Sequence, residues 1–160
     1  MNRHITKRGV TLIEVVVGSS ILLIFLTALI PAYILYLNFS SLNTSAIKAA
    51  FLAEEGVEVV KFLRDTDWDT YIASSSVDTE YYLSFDGSSW QINTTPIYID
   101  DSFQRHIIFS EVYRDGVSDI AETGTLDVDA RKVEVVVSWQ AGNATSTKSI
   151  ETYITNFFKE

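Results

Sequence analysis

The chain has 160 residues and 47% hydrophobic content, room for one ordinary domain and an appendage but not for two large domains. Twelve Lys and Arg stand against 21 Asp and Glu, a net charge of −9, which argues against a protein that tracks nucleic-acid phosphates through a basic surface. The absence of cysteine excludes disulfide frameworks, thiolate metal sites and cysteine nucleophiles, and two histidines leave little for acid–base catalysis.

Arg3, Lys7 and Arg8 come first, with no acidic residue among them. No charged side chain then occurs between Glu14 and Lys48, and within that gap Val15 to Leu37 is a run of 23 mostly apolar residues. As a helix it would reach roughly 35 Å, enough for a hydrocarbon core of about 30 Å. A secretory signal peptide has a shorter apolar region of about 7–15 residues. The basic residues ahead of the run hold the N-terminus in the cytoplasm and send the remainder across the membrane. Removing the three leading basic charges leaves 9 basic against 21 acidic residues from Val10 onward, so the exported part is distinctly acidic.

Glu14 stands where the apolar run begins. A carboxylate at the edge of a membrane helix is costly when buried alone and calls for a partner, although a helix N-terminus by itself also favours negative charge. The stretch Lys7-Arg8-Gly9-Val10-Thr11-Leu12-Ile13-Glu14, leading into a long apolar segment, resembles the class III leader of type IV pilins and of the pilin-like proteins of type II secretion and competence systems. That resemblance implies cleavage after Gly9 by a prepilin peptidase at the cytoplasmic membrane face and N-methylation of Val10. It also implies a partner for Glu14, the N-terminal amine of a neighbouring subunit, and a carboxylate and an ammonium buried together attract strongly. One departure is Val10, where the family most often has phenylalanine. Pro31, which removes a backbone donor and clashes with the preceding turn, stands about where many pilins carry a helix-kinking proline, and Gly18 weakens the helix upstream.

Beyond Leu37, the spacing of Ile47, Ala50, Phe51, Leu52, Val59, Phe62 and Leu63, with Lys48, Glu54, Glu55, Glu58, Lys61 and Arg64 between them, predicts an amphipathic helix continuing the apolar one to about residue 65. The stretch from Leu52 to Trp68 is similar to the segment that follows the anchor in minor, PilV-like or I-type pseudopilins. Asp65 to Thr79 reads as a polar connection. Tyr81 to Phe85 and Trp90 to Ile92 flank the turn Asp86-Gly87-Ser88 as a hairpin. Phe103 to Tyr113 is a longer strand. In Lys132 to Trp139, Val133, Val135, Val137 and Trp139 face one way. Lys148 to Thr155 follows the turn Ala141-Gly142-Asn143. The sum is an α+β fold: a leader over residues 1–9, an apolar helix over 10–37, its amphipathic continuation over 38–65, and a β-rich head over 66–160 built on an antiparallel sheet of four or five strands.

No catalytic constellation is apparent. His106 reads as a partly exposed strand histidine, and neither a nucleophile elbow nor a phosphate-binding loop occurs. The acidic residues between Arg114 and Arg131 offer oxygen atoms suited to calcium, but their spacing is not that of an EF-hand, and no cofactor or metal is expected. Trp68, Trp90 and Trp139 with eight tyrosines offer aromatic surface for a sugar or an adhesive contact, although strand alternation assigns several of them to the core. The N-x-[ST] triplets at Asn38, Asn43, Asn93 and Asn143 are short patterns of high chance frequency.

The expected protein is a filament subunit and not an enzyme. Its expected partners are the prepilin peptidase, other pilin or pseudopilin subunits, the inner-membrane assembly platform, and membrane lipid before assembly, with no direct nucleic-acid contact. The alternative is a permanently anchored single-pass adhesin or ligand-binding module.

Overall fold

The computed structural model describes residues 9–157, so Arg3, Lys7 and Arg8 lie outside the described residues. The chain forms two compact units, one ending at Asn43 and one beginning at Thr44. A single helix, α1 (Leu12–Thr66), supplies nearly all of the described first unit and the opening element of the second.

In the first unit every large apolar side chain from Val10 to Leu42 is exposed. Three hydroxyls in this stretch turn back on their own helix. Ser19 and Ser20 Oγ donate to the carbonyl of Val16 at 3.0 and 2.8 Å, and Thr27 Oγ1 donates to that of Ile24 at 2.9 Å. Such bonds let polar residues sit in an apolar helix without seeking outside partners. The helix runs without a break through Gly18 and Pro31, although Pro31 lacks the amide that would serve the carbonyl of Thr27.

In the second unit, the remainder of α1 covers one face of an antiparallel sheet. The strands are β1 (Glu80–Phe85), β2 (Trp90–Asn93), β3 (Tyr98–Ile99), β4 (Phe103–Arg114), β5 (Ile120–Ala121), β6 (Thr125–Ala141) and β7 (Ala144–Thr155). The main order is β2-β1-β4-β6-β7. β4 is the axis: one edge pairs with β6, and the other carries β3, β1 and β5 in succession. The seven strands among the described residues exceed the expected four or five because β3 and β5 are two-residue pairings, too short to show a period of two. The last hairpin closes through Gly142-Asn143, where Gly142 has φ 64°, the left-handed geometry that favours glycine at the first turn position.

The core lies between α1 and the sheet. Ala49, Ala53, Val60 and Leu63 of the helix meet Ile107, Phe109, Val133, Val135 and Val137 of the sheet, all within 1% of full burial. The buried stripe is displaced from the one the spacing of apolar residues predicts: Ile47, Phe51 and Phe62 are exposed, and Ala49, Ala53 and Gly56 are buried together with Val57, Val59, Val60 and Leu63. Gly56 explains why. A Cβ there would lie 2.6 Å from Val135 Cγ1 and 3.0 Å from Arg105 Cδ, so the helix can come this close to β6 only without a side chain at 56.

Two stretches outside the predicted strands are structured. Asp69–Ala73 forms a π-helical turn, preceded by an Asp67 carboxylate that accepts from the amide and hydroxyl of Thr70 at 3.0 and 2.7 Å. It places Trp68 and Ile72 in the core. The acidic stretch after Arg114 contains β5 and the start of β6, where Asp127 accepts from Arg114 Nε at 2.6 Å and the carbonyl of Asp129 accepts from the amide of Asn156 at 2.9 Å. Asp disfavours strands on propensity, but these pairings hold the segment to its neighbours.

Candidate functional site

Of the residues singled out at the start of the chain, the described ones are Gly9 and Val10 just ahead of the helix and Glu14 in its first turn. Gly9 and Val10 precede α1 and are exposed, with open space where a Gly9 Cβ would sit. Thr11 is the cap residue. Its amide and hydroxyl both donate to Glu14 Oε2 at 2.8 Å, while its carbonyl accepts from the amide of Val15 at 3.3 Å. A Thr followed three positions later by a Glu whose carboxylate reaches back to the cap amide is half of a capping box, and it satisfies one of the amides that a helix start leaves orphaned. The Thr11-Leu12-Ile13-Glu14 spacing carries that signal in the sequence, beside the charge argument that drew attention to Glu14.

Glu14 is an exposed carboxylate at a helix N-terminus, one residue before an uncharged stretch that continues to Ile47. The helix is long and apolar enough to cross a membrane. Gly18 has open space around it, and Pro31 lies inside the helix.

In the head, the structure separates the remaining candidates. The His106 side chain is largely buried, with Nε2 4.0 Å from Glu80 Oε1 and its ring 5.9 Å from that of Tyr82. Tyr82 is itself buried and donates to Glu80 Oε2 at 2.8 Å. Burial first, then the hydrogen bond to the Glu80 carboxylate, pushes its phenol up to about 12. Among the described residues no three His, Asp or Glu side chains come together as a metal site. The acidic residues 115–129 instead make turn and ion-pair contacts: Asp115 Oδ1 accepts from the amides of Val117 and Asp119 at 2.9 and 3.0 Å.

Arg105 was not singled out from the sequence. It is the one buried charged residue of the described core. Its Nη1 donates to the carbonyl of Leu52 at 2.9 Å and to Glu55 Oε2 at 2.8 Å, and its guanidinium lies 5.6 Å from the centre of the Trp90 ring. These contacts tie α1 to β4 and compensate a charge that would be costly to bury alone. Its place in the alternation of β4, on the same face as Phe103, Ile107 and Phe109, was the available signal.

No family model, curated protein or solved structure matches the chain. The resemblance to pilins rests on the residues of the sequence, from about Arg3 to Leu37.

Proposed function

We propose that the chain is a pilin-like structural subunit, a minor pilin or pseudopilin of a type IV pilus, type II secretion or competence filament, and not an enzyme. In this reading it enters the cytoplasmic membrane with its N-terminus inside, prepilin peptidase cuts after Gly9, and Val10 becomes the methylated N-terminus. The assembly platform then moves α1 from lipid into a bundle of neighbouring helices, and the acidic head stays outside the membrane, in the periplasm or at the cell surface.

The observation that carries this reading is the division of α1 between two surroundings. Its second part is buried against the sheet, while the apolar side chains from Val10 to Leu42 have no cover. Burying a large apolar side chain is worth about 1.5–3 kcal/mol, so this stretch requires either lipid or other helices. A helix that must pass from one to the other needs both an apolar surface and a charge that finds its counterpart only in the assembly, and Glu14 fits that need.

The test is co-expression with a prepilin peptidase, read by intact mass and N-terminal sequencing beside a Gly9→Leu control. A chain beginning at methylated Val10, lost in the control, supports the reading. An uncut chain, with the peptidase active on another substrate, overturns it. Glu14→Ala then tests assembly: cleavage and insertion should persist while incorporation into filaments is lost, and unchanged incorporation would remove the proposed role of Glu14.

One observation favours the permanently anchored adhesin or ligand-binding module. The Glu14 carboxylate already holds the Thr11 amide and hydroxyl, which gives it a local use with no neighbouring subunit. The uncut outcome selects this alternative.

A further inference from the structure

The part of α1 that covers the sheet has a second face. Away from its buried residues, Ile47, Phe51, Glu54, Glu55, Glu58 and Phe62 recur at three- and four-residue spacings, and all six are exposed. We infer that this stripe is a docking surface for an amphipathic helix of another polypeptide, one that carries Lys or Arg among apolar residues.

The spacing sets these residues on one side of the helix, so from Ile47 to Phe62 the stripe runs straight for about 22 Å at 1.5 Å per residue. Beside its later part lies a groove of about 400 Å³ between α1 and the β1–β2 hairpin, where Val59 and Phe62 stand with Phe85 and Trp90. Phe85 and Trp90 are cross-strand partners, and alternation puts Phe85 on the same face of β1 as the core residue Leu83, so both rings are on the helix side of the sheet, 5.5 Å apart. Phe62 and Phe85 are nonetheless more than half exposed. Large apolar side chains gathered at a surface mark a contact site, and a straight apolar ridge beside a groove is the shape that an added helix fills with anchors three and four residues apart.

Charge decides the kind of helix. Glu54, Glu55 and Glu58 stand between the apolar residues of the stripe, Glu55 and Glu58 also line the groove, and no Lys or Arg lines it. Arg105 reaches Glu55 from the core at 2.8 Å, and Lys61 reaches Glu58 from the flank at 2.7 Å. Both carboxylates stay open to solvent all the same, with side-chain exposures of 47% and 70%, and an exposed pair such as Lys61 with Glu58 holds weakly and yields to a competing cation.

A second copy of this chain would bring the same carboxylates and a net charge of −9, so like would meet like. A lipid tail would cover the carboxylates with nothing to pair them. A helix with Lys or Arg opposite Glu54, Glu55 and Glu58, and apolar side chains opposite Ile47, Phe51 and Phe62, matches the stripe in both respects. In the filament reading this makes the neighbour at this surface a different subunit. The surface itself does not rest on that reading, since every residue of it belongs to the head.

The experiment uses the full chain in phosphatidylcholine nanodiscs, with empty nanodiscs as the blank. A dye-labelled, alanine-based helical peptide of about 18 residues, with Leu and Arg spaced to face the stripe, is titrated by fluorescence anisotropy beside the same peptide with Glu in place of every Arg. The Arg peptide is expected to bind with a Kd of about 0.1 mM, and the Glu peptide roughly tenfold more weakly. Phe62→Ser, at an exposed position, should weaken the Arg peptide about fivefold without moving the thermal melt of the head. The double variant Glu54→Lys, Glu58→Lys should exchange the preference and bind the Glu peptide better. No binding of the Arg peptide, equal binding of the two peptides, or an unchanged preference in the double variant overturns the proposal. Cleavage after Gly9 enters none of these measurements, so this proposal and the filament reading fail separately.

Discussion

The two parts of α1 share one backbone and use it in opposite ways. Up to Asn43 the helix is coated with Leu, Ile, Val, Phe and Tyr, and all of the large apolar side chains face outward. From Thr44 its buried positions are Ala49, Ala53 and Gly56 followed by Val57, Val59, Val60 and Leu63, and the large aromatic residues Phe51 and Phe62 are turned away from the core. Side-chain size therefore matters beside hydrophobicity in marking where this helix packs within the chain. The small residues bring the helix close enough to β4 and β6 for Val135, Ile107 and Phe109 to fill the space between. The first part carries its apolar surface to something outside the chain, and the second buries one face inside the fold.

Paired substitutions, one in each part, would break or sharpen this contrast. The largest effect is expected from Phe109→Ala, which empties a fully buried site and should destabilise the head by about 3–5 kcal/mol in chemical denaturation. Phe25→Ala, at a site 59% exposed, should leave the head's unfolding curve unmoved; a shift of comparable size would show that the apolar stretch contributes to the head's stability. A smaller contrast comes from the glycines. Gly56→Ala forces a methyl against Val135 and Arg105 and should cost about 1–3 kcal/mol, reduced by the better helix propensity of alanine, about 1 kcal/mol. Gly18→Ala meets nothing within 4 Å and should leave the head as it was.

The smallest effect is a pH dependence confined to the head. The Tyr82 phenol is raised from 10.0 to about 12, so the fold favours its protonated form. The stability this contributes is complete below pH 10 and is lost as pH rises from 10 towards 12. Thermal melts followed by circular dichroism should fall across that window, and Tyr82→Phe should flatten the fall. An unchanged slope in the variant would assign the alkaline loss to other groups.

Much of the head was legible in its sequence because alternation is a strong signal where one face is buried. Val133, Val135, Val137 and Trp139 were read correctly as one face of a strand, and the hairpin around Asp86-Gly87 lies where its turn residues put it, with Asp86 accepting from the amides of Ser88 and Ser89. What was missed follows from short range or from side chains acting against their propensity. β3 and β5 have two residues each. The start of β6 is rich in Asp yet paired, because Arg114 reaches Asp127 and Asn156 reaches Asp129. The helix stripe was right at Val59 and Leu63 and wrong at Ile47, Phe51 and Phe62, whose spacing outweighed the quieter spacing of Ala49, Ala53 and Gly56. At the N-terminus, Glu14 stood out through its charge, but its bond to the Thr11 amide depends on a cap geometry that the Thr-x-x-Glu spacing alone had to reveal. Arg105 was hidden in the alternation of β4, since a charged residue on the inner face becomes intelligible only beside the Leu52 carbonyl and the Glu55 carboxylate that receive it.

The last strand bears on how the protein behaves in concentrated solution. β7 keeps an unshifted register with β6 along all twelve of its residues and, among the described residues, pairs with no strand on its other side. An open edge of this length, without proline or bulge, is where one folded chain can add a strand of another. Its own protection is slight: Lys148 and Glu151 are its only charges, and Thr145, Thr147 and Ser149 keep it polar without repelling a neighbour. A further barrier between copies is the mutual repulsion of chains that each carry −9. That repulsion is of long range in dilute buffer and shrinks as the screening length falls from about 10 Å at 0.1 M salt to about 3 Å at 1 M. Once lipid or other helices cover the apolar stretch of α1, association of heads through this edge should therefore grow with ionic strength.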